Sequence, residues 1–354
     1  MAVPCCGSNI DSTMSRGKHI EWMANLPTSL HNESVSKLAI PGSHNSFAYN
    51  LTRSGGPDLS QGLKRFLPLV GLFIKRWSVT QKETFTEQLQ TGIRYFDLRV
   101  CHVVSEASNQ TSQFKFTHGL LGGLVEECLQ EINRFLDKHS KEIVLLDFNH
   151  FYEFNAQFGH DQLLQLIHEI FGKKLCTTAR TINECTLNYL WANQQQVILL
   201  YEENADKCTA YMDRVGHFFK VHIYSIFIVL GMIVDVFVFQ ICQSPWPNTP
   251  QIDNLFQFLD EQVASPRSTN CINVIQGQIT PDDKSIRNHP FGSLHSTSQE
   301  TNRRLIPWIT CRHRDPSLVN GVNIVMCDFV DSVFADSVIM LNYKTADPTT
   351  TANL

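Results

Sequence analysis

Ile40-Pro41-Gly42-Ser43-His44-Asn45-Ser46-Phe47 is a short apolar run that closes in a glycine–serine–histidine turn. Two later pieces share its form: Gly92-Ile93-Arg94-Tyr95-Phe96-Asp97-Leu98-Arg99 and Phe116-Thr117-His118-Gly119. Each begins apolar and ends in a histidine, or in an aspartate and an arginine one residue apart. A parallel strand delivers functional groups to the rim of a barrel or open sheet in this way, because its C-terminal end meets a loop there. Two histidines and one arginine at a common rim can perform phosphodiester chemistry without a metal. One imidazole removes a proton from the attacking oxygen, the other protonates the leaving oxygen, and the guanidinium holds the phosphate. Taken singly, each piece has a plainer account: a structural histidine, an Arg99–Asp97 ion pair, or turn glycines at Gly42 and Gly119.

Outward from these motifs the chain alternates strands and helices. Strands are expected at Leu38–Pro41, Ile93–Val100, Gln113–His118, Glu142–Phe148, Gln196–Tyr201, Cys271–Gln276 and Val322–Phe329. Leu124, Cys128, Ile132 and Phe135 recur at helical spacing and define a core-facing helix from Leu124 to Lys138. Further helices are expected over Gln162–Phe171, Leu67–Trp77 and Val333–Leu341. Glu142 to Phe148 is almost continuously apolar, as befits a parallel strand covered on both faces. The pattern predicts an α/β fold, a distorted or incompletely closed (β/α) TIM-type barrel spanning 19–343, between a disordered leader (1–18) and tail (344–354).

Composition narrows the function. With 354 residues, 43% hydrophobic and 18% charged, the chain can bury a large core. A net charge of −5 with no long basic run argues against nucleic acid as a partner. The 11 cysteines are scattered without a zinc-ligand spacing, which favours reduced thiols in a cytoplasmic enzyme. Cys5 and Cys6 admit palmitoylation or an unmodified leader, whereas Ala2 excludes myristoylation. His150 and His160 lack a repeated ligand spacing, so surface or core roles are expected and no metal is assigned.

Taken together and in order, these motifs resemble the X-box catalytic region of phosphatidylinositol-specific phospholipase C. They are especially similar to the small eukaryotic proteins that carry this X domain alone. The resemblance continues through Glu142–His150, Trp191–Tyr201, Ser244-Pro245-Trp246 and Asn323–Phe329, covering most of residues 20–343. It implies a distorted barrel and a phosphoric diester hydrolase that cleaves a phosphoinositide to diacylglycerol and a cyclic inositol phosphate. It further implies His44 as general base, Asp328 as the carboxylate orienting it, Arg99 as phosphate ligand in place of calcium, and His118 as general acid. Asp97 is placed to fix the guanidinium or the neighbouring histidine.

The chain departs from the family pattern at Asn45, where the small X-domain proteins usually carry aspartate and the calcium-dependent enzymes a metal-binding asparagine. Arg99 stands where calcium would need a second carboxylate, so a cofactor-free site with a weakened acid is expected and calcium is the alternative. Positions that are basic in the bacterial enzymes are here Asp147 and Glu202. Asn45, Asp147, Asn149 and Tyr201 are candidates for contacts to the substrate, each with a structural role as the alternative.

Phe218 to Cys242 is nearly all apolar, interrupted by Lys220, His222 and Asp235. It admits a membrane span, against which a central aspartate is costly, a buried β-rich insertion, or a stretch foreign to the fold. The last is favoured by the resemblance, since similar proteins carry a short polar loop here that leads into a Pro-Trp pair, and only Ser244-Pro245-Trp246-Pro247-Asn248-Thr249 of it remains. Trp246 and Phe73–Trp77 are candidates for contact with a phospholipid surface, to which the protein would bind peripherally. Two functional classes remain: an active phospholipase C, or a lipid-binding protein on the same fold that has lost turnover.

Overall fold

The computed structural model describes residues 19–104, 112–154, 156–201, 219–220, 228–229, 232–233 and 242–344. The expected leader, all of the tail beyond Lys344, Glu202 and most of the 218–242 run lie outside the described residues. The strands are β1 (Ile40–Ser43), β2 (Tyr95–Val104), β3 (Ser112–His118), β4 (Leu120–Leu124), β5 (Val144–Tyr152), β6 (Val197–Tyr201) and β7 (Phe219–Lys220). They continue with β8 (Ile228–Val229), β9 (Met232–Ile233), β10 (Cys242–Gln243), β11 (Ile272–Gln276), β12 (His313–Arg314), β13 (Gly321–Val322) and β14 (Ile324–Cys327). The helices are α1 (Gln61–Ser78), α2 (Phe85–Thr91), α3 (Val125–Lys138), α4 (Ala156–Phe171) and α5 (Leu187–Ala192), then α6 (Ile252–Val263), α7 (Asp283–Asn288), α8 (Leu294–Thr310) and α9 (Ser332–Ile339).

Parallel strands pair in the order β10-β11-β14-β1-β2-β5-β6-β7. Each neighbour in this path follows the last in chain order, with one wrap from β14 back to β1, so the sheet is a (β/α) barrel. Among the described residues β7 does not pair with β10, and the barrel is open at that seam. The two ends of the apolar 218–242 run are therefore barrel strands, with β8 and β9 paired antiparallel between them. No helix among the described residues is long and apolar enough to cross a membrane.

Local sequence explains the frame. Every residue from Val144 to Phe148 and from Val197 to Tyr201 is buried, as parallel strands between a barrel interior and a helical layer require. Gly42 lies against Tyr95: a Cβ there would sit 2.8 Å from the Tyr95 Cδ1 and 3.2 Å from the Met326 Cβ. The first strand starts at Ile40 rather than Leu38, because side chains satisfy the preceding backbone. Asn323 Nδ2 donates to the Leu38 carbonyl at 2.7 Å, and Asn342 both donates to and accepts from the Ala39 backbone. At the opposite end of the barrel from the motifs, Arg94 and Glu142 form a fully buried ion pair, with Nη2–Oε2 2.8 Å. Glu142 also accepts from the Ala24 N–H and Arg94 donates to the Ile20 carbonyl, so the pair fastens the segment preceding β1.

His118 does not arrive on a parallel strand, contrary to expectation. β2 runs on to Val104, and β3 returns antiparallel to it from Val104↔Ser112 to Val100↔Phe116, followed by β4. The alternation that identified Gln113–His118 as a strand is the same for either direction, so only the hairpin pairing decides it.

Candidate active site

His44 and Asp328 are the first residues beyond β1 and β14, whose register pairs Ser43 with Cys327. They therefore face one another across adjacent strand ends. His44 Nδ1 donates to Asp328 Oδ1 at 2.6 Å. Asp328 is itself fixed by Ser298 Oγ on α8, which donates to its Oδ2 at 3.3 Å, and by Asn302 Nδ2, which donates to its carbonyl at 2.9 Å. Gln81 Nε2 donates to the carbonyls of both His44 and Cys327, at 2.8 and 3.1 Å, and ties the two strand ends together. With the proton on Nδ1, Nε2 presents a lone pair to the site. Asn45 Nδ2 lies 3.0 Å from that nitrogen, and Asn45 Oδ1 is buried without a hydrogen-bond partner among the described residues.

Asn45 has φ 40°, a left-handed conformation that asparagine tolerates better than most residues. The turn aims its backbone N–H at Asp97 Oδ2, 2.7 Å away. Asp97 and Asp147 occupy paired positions on β2 and β5, both buried. A bulge follows: Leu98 pairs with Phe148 but Arg99 with His150, leaving Asn149 as the extra residue. The Asn149 amide uses that freedom to reach Asp97 Oδ1 at 2.6 Å and Asp147 Oδ2 at 3.4 Å. Tyr95 OH donates to Asp147 Oδ2 at 2.5 Å, while Asp147 Oδ1 is buried without a hydrogen-bond partner among the described residues.

The two carboxyls are driven apart electrostatically. Burial alone would raise Asp97, but Arg99, His44 and the hydrogen bonds from Asn149 and the Asn45 N–H hold it below the usual carboxylate range. Asp147 has no such cation: burial and the Asp97 charge push it up to about 7 against the hydrogen bond from Tyr95. Arg99 acts on Asp97 through space, yet its half-buried guanidinium makes no hydrogen bond among the described residues, and its Nε is shielded from solvent without a partner.

His118 sits across from His44, with ring centroids 6.3 Å apart and planes at 75°. Its Nδ1–H is given to the Ser78 carbonyl at the end of α1, 2.8 Å away, which leaves Nε2 without a proton in the neutral ring. Gly119, at φ 68°, turns β3 into β4 behind it. Asp58 clamps that corner, accepting from Thr117 Oγ1 and from the Gly119 N–H, each at 2.6 Å. Burial, then the charges of Arg99 and His44, push His118 down to about 4.

The structure thus brings together His44, Asn45, Asp97, Arg99, His118, Asp147, Asn149 and Asp328. It places Tyr201 elsewhere. Tyr201 pairs with Phe148, whose side chain alternates to the opposite face from Asp147, and its hydroxyl lies 2.8 Å from His160 Nδ1 in a buried aromatic layer with Phe151. His150 lies within β5, paired with Arg99, with its Nδ1 2.8 Å from Asn149 Oδ1. Sequence reasoning missed Asp58, Ser78, Gln81 and Ser298; only the Gly55-Gly56-Pro57-Asp58 turn gave a signal, the others being polar residues in helices and loops. The donor set does not fit calcium. Both Asp97 oxygens already accept hydrogen bonds, Asp147 is pushed toward its protonated form, and a guanidinium stands beside them, whereas calcium takes six to eight oxygens.

An imidazole–carboxylate pair thus stands at the barrel's C-terminal rim, faced by a second imidazole and by an arginine with no hydrogen bond among the described residues, which defines a barrel protein with its polar groups gathered at the strand ends. Comparison with known proteins gives the family. The sequence model of the phosphatidylinositol-specific phospholipase C X domain matches residues 72–203. PI-PLC X domain-containing protein 2 of Mus musculus is 36% identical over 345 residues, covering 95% of this chain and 92% of its own. The solved phosphatidylinositol-specific phospholipase C of Listeria monocytogenes superposes with a TM-score of 0.57 at 18% identity, covering 92% of this chain and 99% of that one. The Staphylococcus aureus phosphatidylinositol-specific phospholipase C gives 0.60 at 14% identity, covering 93% and 99%. The chain belongs to the PI-PLC X domain family, and its fold is the distorted barrel of the bacterial phospholipases.

Proposed function

We propose that this protein is a metal-independent phosphoric diester hydrolase of phospholipase C type that acts on a phosphoinositide at a membrane surface. The observation that carries the reading is the His44–Asp328 pair at 2.6 Å, opposed by His118, with the Arg99 charge acting on His118 and on Asp97. In this mechanism His44 Nε2 takes the proton of the inositol hydroxyl next to the phosphate as that oxygen attacks phosphorus. Asp328 stabilises the imidazolium that forms. Arg99 binds the phosphate oxygens, and His118 protonates the departing diacylglycerol oxygen. A bound phosphodiester anion offsets the Arg99 charge that depresses His118, so substrate itself favours the protonated acid. A cyclic inositol phosphate leaves first and water opens it more slowly.

The lipid partner is supported by α1, which exposes Leu63, Phe66, Leu69 and Leu72 beside the cations Lys64, Arg65 and Arg76. Leu69 is 83% exposed, and α1 ends at Ser78, the residue that holds His118. Apolar anchors among cations suit the headgroup region of an anionic bilayer, which makes the association peripheral. A second reading, a lipid-binding protein without turnover, is favoured by the Asn45 amide on His44 Nε2 and by the depressed acid at His118. The two readings separate in one assay: release of water-soluble inositol phosphate from phosphatidylinositol vesicles, with calcium or with chelator, alongside His44→Ala. Turnover that survives chelation and falls by about 10²–10⁴-fold in the variant supports the hydrolase. Absence of turnover from folded wild-type protein selects the second reading.

A further inference from the structure

The molecule treats its buried guanidinium groups unequally. Arg94 is met by Glu142 and by backbone carbonyls. Arg267, in the connection from α6 to β11, has nothing comparable. Its Nε, Nη1 and Nη2 are all shielded from solvent, and none has a hydrogen-bond partner among the described residues. The titratable side chain that acts on it is Cys271, a thiol pushed up by burial and therefore no counter-anion at neutral pH. An uncompensated buried cation is among the most costly arrangements in a folded protein.

Arg267 also lines a cavity of about 360 Å³ with Gln243, Ser244, Pro245 and Gln262. This cavity flanks β10, one edge of the open barrel seam, and Arg267 precedes the N-terminal end of β11. It therefore lies toward the end of the barrel opposite to His44. The neutral groups there are free to donate. Ser244 Oγ accepts from Gln276 Nε2 at 2.9 Å, which leaves its hydroxyl proton available. The side-chain amides of Gln243 and Gln262 have no hydrogen-bond partner among the described residues.

We propose that this cavity is an anion site, separate from the catalytic rim, that takes a phosphate group through Arg267, with Ser244, Gln243 and Gln262 as neutral donors. A guanidinium fork matches two phosphate oxygens, and the hydroxyl and amides supply donors for the remainder, more than a carboxylate can use. The phosphate is free or carried on a small organic alcohol, and both share this chemistry.

The test is a thermal and calorimetric titration of the full chain with inorganic phosphate, with glycerol 1-phosphate, and with vesicles containing phosphatidic acid, against chloride at equal ionic strength. The expected result is a rise in melting temperature of roughly 2–4 °C with phosphate that disappears in Arg267→Met, and a several-fold weaker affinity in Ser244→Ala. Without phosphate, Arg267→Met should melt no lower than wild type, since it removes an unpaired charge; a purely structural arginine would give a lower melting point. A response to inorganic phosphate identifies the free ion as sufficient, one to glycerol 1-phosphate alone identifies the ester, and one to vesicles alone identifies a lipid headgroup. No heat of binding in wild type, or an equal shift in Arg267→Met, overturns the site. Should Arg267→Met fail to fold, the wild-type titration and Ser244→Ala decide the matter. Vesicle turnover plays no part in these readouts, so the outcome is independent of the hydrolase assignment.

Discussion

Asn45 Nδ2 lies 3.0 Å from Nε2 of His44, on the nitrogen opposite to the one that Asp328 holds. The imidazole is thus bonded at both ends before any substrate arrives, and its basic lone pair is engaged by a neutral donor. A carboxylate in place of the amide would not donate, and would accept from the imidazolium once it forms. Asn45→Asp is therefore expected to raise metal-independent turnover roughly fivefold, the equivalent of about 1 kcal/mol for one hydrogen bond. Initial rates on phosphatidylinositol vesicles with chelator present measure it, and a rate at or below wild type would show that this bond does not limit the base.

The low position of His118 has a named cause that can be removed. After burial, Arg99 is the largest influence pushing it down to about 4. In Arg99→Met the histidine should titrate higher, followed through its ring-proton NMR signals, while on the proposed mechanism turnover falls with the loss of the proposed phosphate ligand. A titration unmoved by the loss of the cation would contradict the electrostatic account of this site.

Asp147 gives a stability effect with a definite sign. Its carboxyl is raised from 3.8 to about 7 in the folded state, so the native protein holds a proton that the unfolded chain releases. The associated stability is fully present below about 4 and is lost as the pH rises toward 7. Asp147→Asn, which stays neutral throughout, should melt a few degrees above wild type at pH 8, with the gap shrinking by pH 5. A constant difference across that range would mean that Asp147 is ionised in the folded protein.

At the other end of the barrel, Glu142→Ala leaves the Arg94 guanidinium buried at 0% exposure with no anion. The expected loss is about 3–5 kcal/mol by denaturant unfolding, whereas replacing both partners by apolar residues of similar volume should recover much of it. A double variant as unstable as the single one would point to the backbone carbonyls rather than the charge.

On the proposed reading, α1 separates membrane docking from chemistry. Leu69→Ser with Leu72→Ser removes two exposed apolar anchors without touching the catalytic groups. Binding to anionic vesicles in a sedimentation assay should weaken by tenfold or more, since each leucine side chain is worth about 1.5–3 kcal/mol on transfer from water. Unchanged sedimentation would move the docking face elsewhere on the rim.

The sequence by itself determined the periodicities and the chemical groups. Nearly continuous apolar runs such as Val144–Phe148 fit strands buried on both faces, and the turn Gly42-Ser43-His44 follows one, so the barrel, and His44 and Asp328 beside strand ends, were legible; Arg99, read as closing its strand, lies inside β2, which runs on to Val104. Tertiary structure alone decided what depends on pairing partners. Strand alternation is blind to direction, so it did not show that His118 returns on an antiparallel hairpin. Spacing along one strand cannot reveal a bulge, which is what lets Asn149 reach Asp97. Side-chain parity between neighbouring strands sends Tyr201 to the aromatic layer with His160, away from the rim. The charge states followed last: burial and through-space charges, set by residues far apart in the chain, hold Asp97 ionised, lift Asp147 and depress His118.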